Sequence, residues 1–266
     1  MCEYLNIIFM ALFQGIAEFL PISSSGHLEL LGVLSGIAED ERFTLSIVLH
    51  AGTLFAMLIF YFKDILTLFI RRQWRIIGAV IIGSVPAGIG GVVLKITGAD
   101  SYFHNLVLVG ICFIITGTLL TALRTIQQKD IEYTALEKIP FRSALFIGFV
   151  QMIAILPGIS RSGSTIFAGA KCRLSPEENA KFSFFLAMAA IGGATLLELI
   201  SCLRETENIS QGLSFGHYAA GFAVSALCGY LALALLLKLL KSKKLGYFGI
   251  YMFIIGTATI IYGIIK

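Results

Sequence analysis

Long apolar stretches separated by short polar loops run through the whole chain, and they restrict its fold more than any other feature. A helix needs about 20 apolar residues to cross the hydrocarbon core of a bilayer, and six stretches are close to that length. The predicted spans are residues 44–62, 76–96, 105–123, 182–203, 218–240 and 245–265. Charged residues make up only 14% of the chain, against about 25% in soluble domains. The sequence therefore predicts an all-α polytopic membrane protein.

Basic residues are concentrated in the loops on one side of these spans. The basic segments are residues 63–75, 124–142, 171–181 and 241–244, and acidic clusters lie at 39–41 and 205–207. Because cytoplasmic loops carry an excess of lysine and arginine, we assign the basic segments to the cytoplasm and the acidic clusters to the outside. This orientation bias also explains the net charge of +4. We therefore expect membrane lipid as a partner, and no nucleic acid.

Two further apolar stretches are too short to cross a membrane, and each ends at a proline. The first covers residues 5–20 before Pro21, and the second covers residues 143–156 before Pro157. Proline ends a helix because it lacks a backbone N–H and its ring clashes with the preceding turn. We interpret each stretch as the descending arm of a re-entrant hairpin, since irregular backbone at membrane depth is tolerated where it lines a cavity. The returning arms are predicted at residues 27–37 and 166–170.

The two hairpins are related to each other in sequence at one constant offset without a gap. The matched pairs include Gln14 with Gln151, Ala17 with Ala154, Ser23 with Ser160, Ser25 with Ser162 and Gly26 with Gly163. Each hairpin is followed by three spans, and because three is odd the second copy starts on the opposite side of the membrane. We therefore predict an inverted-topology repeat, in which ligand sites lie near the bilayer midplane where broken helices meet.

The repeat also predicts how the chain is divided. Residues 1–266 form a single membrane domain in which each half is a re-entrant helical hairpin plus three transmembrane helices. The first repeat covers residues 1–125, a cytoplasmic linker covers 126–142, and the second, inverted repeat covers 143–266.

The tip of the first hairpin carries several candidate functional groups. Glu18 lies inside an apolar run, where a carboxylate is expensive and is by default a functional-site hypothesis. Three serine hydroxyls follow at residues 23–25. Gly26 lets the backbone turn, and His27 can titrate near neutral pH. These groups suit a phosphate-handling pocket, although a serine run can also simply cap the end of a helix.

The second hairpin contributes a cation. Arg161 occupies the position that Ser24 has in the first hairpin. An arginine at membrane depth needs an anion, and the planar fork of its guanidinium matches phosphate. Backbone N–H groups at the glycine-rich helix ends add to an anion cradle. The alternative is a structural ion pair between Arg161 and Glu18.

His50 is the remaining polar residue inside a predicted span that bears on function. We favour a hydrogen-bonded packing histidine, with a supporting role behind the site as the alternative. The sequence contains no Walker, HExxH or CxxC motif. Its 5 cysteines are scattered and odd in number, so we expect neither a disulfide framework nor a metal cluster.

The motifs at the hairpin tips resemble those of the bacterial undecaprenyl-diphosphate phosphatases, also called the UppP or bacitracin-resistance family. The matching segments are Gln14-x-x-x-Glu18 with Pro21-Ile-Ser-Ser-Ser-Gly-His27, which resemble the family's (E/Q)xxxE and SSxGH, and Pro157-Gly-Ile-Ser-Arg-Ser-Gly163 with Thr165, which resembles PGxSRS. Leu49-His-Ala-Gly-Thr-Leu54 is a third and weaker match. The resemblance extends over the whole chain, and the two tip motifs together are specific.

This resemblance implies a phosphatase of the bacterial plasma membrane with a site opening to the outer face, often as a homodimer. Its substrate is a polyprenyl diphosphate lipid: undecaprenyl diphosphate is hydrolysed to the monophosphate, which recycles the lipid carrier for peptidoglycan synthesis and confers bacitracin resistance. By position, the resemblance assigns catalysis to Glu18, Ser24, His27 and Arg161. The expected substrate-binding residues are Gln14, Ser23, Ser25, Gly26, Ser160, Ser162, Gly163 and Thr165.

A divalent cation, Mg²⁺ or Ca²⁺, is also implied by the resemblance, with Glu18 as its candidate protein ligand. The first motif position is Gln14 in this chain, where other members have glutamate. A cage of two carboxylates is therefore not supported, and a single ion held by Glu18 and the diphosphate is the expectation.

Two questions stay open at the level of sequence. The nucleophile is Ser24, His27 or water, and Ser24 is preferred because a neutral hydroxyl costs little free energy to hold at membrane depth. The alternative function is a lipid flippase or secondary transporter with an anion site at the midplane, because inverted repeats and paired broken helices are also transporter architecture.

Overall fold

The computed structural model describes residues 2–35, 39–98, 103–127, 132–204, 213–242 and 244–265. Within these ranges the regular structure is helical, apart from one isolated bridge between Thr134 and Leu174. The α-helices are α1 (Cys2–Ala17), α2 (Ser24–Ser35), α3 (Glu39–Phe60), α4 (Phe62–Ile70), α5 (Trp74–Thr97), α6 (Leu106–Gln127), α7 (Phe141–Ile153), α8 (Arg161–Lys171), α9 (Pro176–Arg204), α10 (Phe215–Lys241) and α11 (Phe248–Ile265). Two short 3₁₀-helices lie at Leu136–Lys138 and Leu245–Tyr247. The prediction of an all-α protein is confirmed.

The described helices include enough apolar length for the predicted membrane spans. α5, α6, α9, α10 and α11 are each long and apolar enough to cross a bilayer, and α3 with α4 can form a sixth span that is bent by 59°. The prediction of a polytopic membrane protein is therefore confirmed. The predicted outer residues Glu205 and Glu207, and the predicted cytoplasmic residues Lys129 and Lys243, lie outside the described residues.

Helices extend into several predicted loops. α3 begins at Glu39 and includes the acidic segment 39–41, α9 begins at Pro176 within the basic segment 171–181, and α4 lies in the first basic segment. Lysines and arginines predict a loop at residues 63–75, but α4 occupies residues 63–70 of this segment. Apolar side chains such as Phe62, Leu66 and Phe69 lie exposed among the charged residues of α4. An apolar stripe with charges beside it is the pattern of an amphipathic helix, which an argument from charge alone overlooks.

The two hairpins form where the sequence predicts them, but their returning arms begin earlier. α1 and α7 are apolar helices too short to count as spans. α2 already begins at Ser24 and α8 at Arg161, in segments predicted to be loops. Capping explains the difference: the hydroxyl oxygen of Ser160 accepts a hydrogen bond from the N–H of Gly163 at 3.1 Å, and Ser23 does the same for Gly26 at 3.5 Å. The polar tip residues therefore form the first turns of helices.

The two halves pack with exchanged partners. α1 of the first hairpin packs on α10 in the second half, and α7 of the second hairpin packs on α5 in the first half. α6 and α11, the last helix of each half, pack on each other at glycines: a Cβ added to Gly110 would lie 2.8 Å from the carbonyl oxygen of Gly256. This exchange is consistent with a two-fold repeat, and the opposite membrane orientation of the halves stays a prediction. The boundary predicted at residue 125 falls within the last turn of α6.

Candidate active site

The tips of the two hairpins meet in the interior of the protein. The backbone N–H of Gly158 donates a hydrogen bond to the Ser23 hydroxyl at 3.1 Å, and the Ser162 hydroxyl donates to the carbonyl of Leu20 at 3.2 Å. The approach requires glycine in the first hairpin, because a Cβ on Gly26 would lie 2.7 Å from the nitrogen of Gly158. The N-termini of α2 and α8, with their free amides and positive dipole ends, are thereby brought into one region.

Glu18 is the centre of this region. Its Oε1 pairs with Nη2 of Arg161. Its Oε2 accepts hydrogen bonds from the Ser24 hydroxyl at 2.6 Å and from Nε2 of Gln14 at 3.0 Å. The glutamate is only 7% exposed, so its charge is stabilised by these donors rather than by water. The ion pair considered from the sequence does form, and it joins the two hairpins.

Arg161 retains a hydrogen-bonding group that the ion pair does not use. As the first residue of α8 it follows the capping residue Ser160. Its Nη1 is buried without a hydrogen-bond partner among the described residues, as is Oε1 of Gln14. A buried N–H of a charged group that stays unsatisfied costs several times more than an ordinary hydrogen bond contributes. With the amides of two helix N-termini beside it, this N–H is placed to bind an oxyanion.

His27 lies in the first turns of α2, but its ring nitrogens are engaged by other groups. Its Nδ1 is 2.8 Å from the carbonyl oxygen of Ser23, which assigns a proton to Nδ1. Its Nε2 therefore accepts a hydrogen bond from the Tyr251 hydroxyl, at 2.7 Å. The ring also packs between Phe13 and Phe113, with centroids 4.8 and 4.7 Å away. In this arrangement neither nitrogen contacts Glu18 or Ser24.

The remaining residues predicted for the site hold the second tip in shape. The hydroxyls of Ser160 and Ser162 are 3.3 Å apart. Thr165 donates to the carbonyl of Arg161 at 2.8 Å and is 2.5 Å from the Ser183 hydroxyl on α9. Gly163 contributes its backbone N–H to the cap. In the first tip, Ser25 lies in the opening turn of α2 and is partly exposed.

Three residues at the site are not among those predicted for it. Thr116 on α6 accepts a hydrogen bond from the N–H of Ser160 at 2.9 Å and donates to the carbonyl of Gly158 at 2.8 Å. Tyr251 and Ser183 contact His27 and Thr165 as described above. All three come from long apolar helices, and no motif in the sequence distinguishes them.

His50 on α3 also reaches the site. Its Nε2 is 3.5 Å from Oε2 of Glu18, and its Nδ1 is 2.8 Å from the carbonyl oxygen of Ser46. The favoured interpretation, a histidine that only packs, was incomplete, and the alternative of a supporting role is the one that the geometry favours. In the sequence, the only indication of this role is that His50 lies in residues 49–54, the weakest of the three segments that resemble the family motifs.

The side chains present do not form a cage for a resident metal ion. No group of three or more histidine, cysteine, aspartate or glutamate side chains with metal-binding geometry occurs within the described ranges. Both oxygens of Glu18 already accept hydrogen bonds from Arg161, Ser24 and Gln14. Mg²⁺ and Ca²⁺ require six or more oxygen ligands, which the protein alone does not supply here.

An apolar groove adjoins the site. It has a volume of about 330 Å³ and is lined by Ile22, Tyr247, Phe248 and Tyr251. Ile22 belongs to the first hairpin tip, and Tyr251 bonds to His27 of the same tip. The groove therefore extends from the tip of the first hairpin toward the exposed face of α11.

Comparison with known proteins identifies the family. Residues 7–258 match the model of the family described as bacitracin resistance protein BacA. Among relatives named undecaprenyl-diphosphatase, one from Rhodopirellula baltica is 38% identical over 93% of each chain. Another, from Methanosphaera stadtmanae, is 35% identical over the full length of both chains, and one from Carboxydothermus hydrogenoformans is 38% identical over 96% of this chain and 95% of its own. The chain therefore belongs to the BacA bacitracin resistance family.

Proposed function

We propose that this protein hydrolyses undecaprenyl diphosphate to undecaprenyl phosphate and inorganic phosphate. The family and the names of its relatives support this activity. The observation that carries it is Nη1 of Arg161, which is buried and has no hydrogen-bond partner in the described parts of the chain, near a serine hydroxyl bonded to a carboxylate. Hydrolysis would recycle the lipid carrier for peptidoglycan synthesis, and thereby confer resistance to bacitracin.

Ser24 is the nucleophile in the mechanism that we propose. Its hydroxyl already donates to Glu18 at 2.6 Å, which is the contact that a general base needs in order to activate a serine. Ser24 Oγ attacks the terminal phosphorus and its proton passes to Glu18. The bond from that phosphorus to the bridging oxygen breaks, and undecaprenyl phosphate departs, taking the proton from Glu18. Water then hydrolyses the phosphoserine and releases inorganic phosphate.

Arg161 and the helix N-termini stabilise the charge that builds up during this transfer. Phosphoryl transfer is catalysed mainly by positioning and by charge stabilisation. Nη1 of Arg161 and the first amides of α2 and α8 donate to the non-bridging oxygens of the terminal phosphate. His27 acts as a positioning residue in this scheme, because its hydrogen bonds to Ser23 and Tyr251 hold the first turn of α2.

The apolar groove supports a lipid substrate. We place the first isoprene units of the prenyl chain against Tyr247, Phe248 and Tyr251, from where the chain continues into the bilayer along α11. A divalent cation remains a proposal: the diphosphate would supply most of its ligands, with Glu18 the candidate ligand on the protein. The bacterial plasma membrane, a site opening to the outer face and a homodimer are likewise proposed from the family resemblance.

The test is phosphate release by the purified protein in detergent. Detergent micelles have no two sides, so a flippase or transporter has no activity to show there, whereas a hydrolase does. We expect undecaprenyl diphosphate to release one phosphate per molecule, with loss of this activity in Ser24→Ala purified in parallel. If the purified protein releases no phosphate with or without Mg²⁺ or Ca²⁺, the proposed hydrolysis is wrong.

A further inference from the structure

The oxygen of Glu18 that contacts Ser24 also faces a group from outside the hairpins. Oε2 accepts hydrogen bonds from Ser24 and Gln14, and Nε2 of His50 lies 3.5 Å from it. His50 is carried by α3, and its side chain is 24% exposed, against 6% for that of Glu18. His50 is therefore the more accessible partner in this contact.

The backbone assigns the tautomer of His50. A carbonyl oxygen only accepts hydrogen bonds, so the 2.8 Å contact between the Ser46 carbonyl and Nδ1 places the proton of the neutral ring on Nδ1. The lone pair of Nε2 then faces Oε2 of Glu18, which is also an acceptor. Two acceptors do not bond to each other, but a water molecule can donate one hydrogen to each. A water about 2.8 Å from both atoms fits, since they are 3.5 Å apart.

We propose that His50 and Glu18 together hold the water that hydrolyses phosphorylated Ser24. The inference rests on the proposed function and adds a residue to its second step. One hydrogen of the water points to Glu18 and the other to Nε2 of His50, which turns a lone pair of the water oxygen toward the phosphorus. The new P–O bond forms as the bond from phosphorus to Ser24 Oγ breaks. Glu18 takes the proton from the water and returns it to Ser24 Oγ, so that inorganic phosphate leaves and the enzyme is restored.

Ser24 and Glu18 serve both chemical steps, whereas His50 serves only the second. Loss of His50 should therefore leave the attack of Ser24 on the diphosphate intact and slow the hydrolysis of the phosphoserine. Misplacing a reacting group by about 1 Å can cost about 10²-fold in rate. A phosphorylated enzyme that does not accumulate in the parent protein should then accumulate in the variant.

The experiment follows both steps with undecaprenyl diphosphate labelled in its terminal phosphate. Parent protein, His50→Phe and His50→Gln are mixed with substrate in detergent and quenched in acid at increasing times. Released phosphate and acid-stable, protein-bound label are both measured. The control is His104→Phe, which makes the same substitution at another histidine. The side chain of His104 is 46% exposed and pairs with Glu29 rather than with Glu18.

For His50→Phe we expect kcat to fall by about 10²-fold, while label appears on most of the enzyme within the first turnover. That label itself shows that the variant is folded and binds substrate. His50→Gln keeps an acceptor at this place and should recover most of the turnover with little label. His104→Phe should match the parent in both measurements.

Two results would overturn the inference while leaving the proposed hydrolysis in place. One is parental turnover in His50→Phe. The other is slow turnover without accumulated label, which would place the role of His50 before or within the first step. Absence of phosphate release from the parent would instead overturn the proposed function, and this inference with it.

Discussion

Replacing Arg161 by lysine tests whether one guanidinium holds both a carboxylate and a phosphate. Nη2 pairs with Glu18, and Nη1 is buried without a partner among the residues that the structure describes. The two nitrogens belong to one rigid plane, so pairing with Glu18 aims the other toward the phosphate. Lysine keeps the positive charge but concentrates it on a single nitrogen. The single lysine nitrogen can pair with Glu18 or bind the phosphate. It does not hold both at once in the positions that Nη2 and Nη1 of arginine provide.

The expected loss can be worked out from the contact that lysine forfeits. A hydrogen bond from a charged group contributes about 1.5–3 kcal/mol, and removing one donor that stabilises transition-state charge typically costs 10²- to 10³-fold in kcat, or about 3–4 kcal/mol. We therefore expect kcat of Arg161→Lys to fall by about 10²-fold or more. Folding should change less, because the charge beside Glu18 is kept.

Comparison of Arg161→Ala with Arg161→Lys separates the effect on catalysis from the effect on stability. The alanine variant removes the charge as well and leaves Glu18 buried without its counterion, and breaking a buried pair in this way costs about 3–5 kcal/mol. We expect it to lose both activity and thermal stability. Phosphate release in detergent and the midpoint of thermal unfolding are measured for both variants. Arg173→Lys is the matched control, since Arg173 lies exposed just beyond the C-terminus of the same helix.

Near-parental turnover in Arg161→Lys would refute this reasoning. The guanidinium would then act only as a point charge, and the unpaired Nη1 would have no part in the reaction. Equal stability of the Ala variant and the parent would refute the second half of the argument, because it would mean that Glu18 does not depend on Arg161.

Three further predictions concern the hairpin tips and the membrane orientation. Gly26→Ala should lower the free energy of unfolding by about 1–3 kcal/mol through overpacking, because its Cβ would lie 2.7 Å from Gly158 and Phe113. The control is Gly88→Ala, whose Cβ would meet nothing within 4 Å. Equal midpoints of thermal unfolding for the two variants would contradict the close approach of the tips. Tyr251→Phe removes one hydrogen bond, worth about 1 kcal/mol, so turnover should fall by less than about tenfold; complete loss would show that its hydroxyl takes part in the chemistry. In a protein without its native cysteines, an impermeant thiol reagent added outside cells should label a cysteine at position 104 but not one at position 72, and the reverse pattern would invalidate the predicted orientation.

The sequence predicts the membrane spans and hairpins well because they depend on local properties. Apolar length identifies α5, α6, α9, α10 and α11, and short length with a following proline identifies α1 and α7 as hairpin arms. The first turns of α2 and α8 were assigned to loops because their residues are polar. Ser160 shows why that failed: its hydroxyl caps the helix, so a cluster that resembles a loop is the beginning of a helix.

Only some residues of the site could be predicted, because the site is formed by residues that lie far apart in the sequence. Glu18 and Arg161 were recognisable because charge at membrane depth is rare. Tyr251 and Thr116 are ordinary residues of apolar helices, and only the packing of α11 and α6 against the tips gives them partners. His50 was visible as a polar residue in a span, but its distance from Glu18 depends on how α3 packs beside α1, which the sequence pattern does not contain.

The equivalence of Ser24 and Arg161 has a consequence for how the site can be assembled. They occupy the same position in two matched hairpins, yet one contributes a hydroxyl and the other a cation to a single carboxylate. A dimer of two identical half-length chains would place two serines or two arginines there. The first would lack the guanidinium, and the second would lack the hydroxyl and bring like charges together. The proposed chemistry therefore needs two hairpins that differ at more than this position, since the counterpart of Glu18 in the second hairpin is Ile155. One polypeptide that contains both hairpins meets this requirement, whereas two identical half-length chains do not.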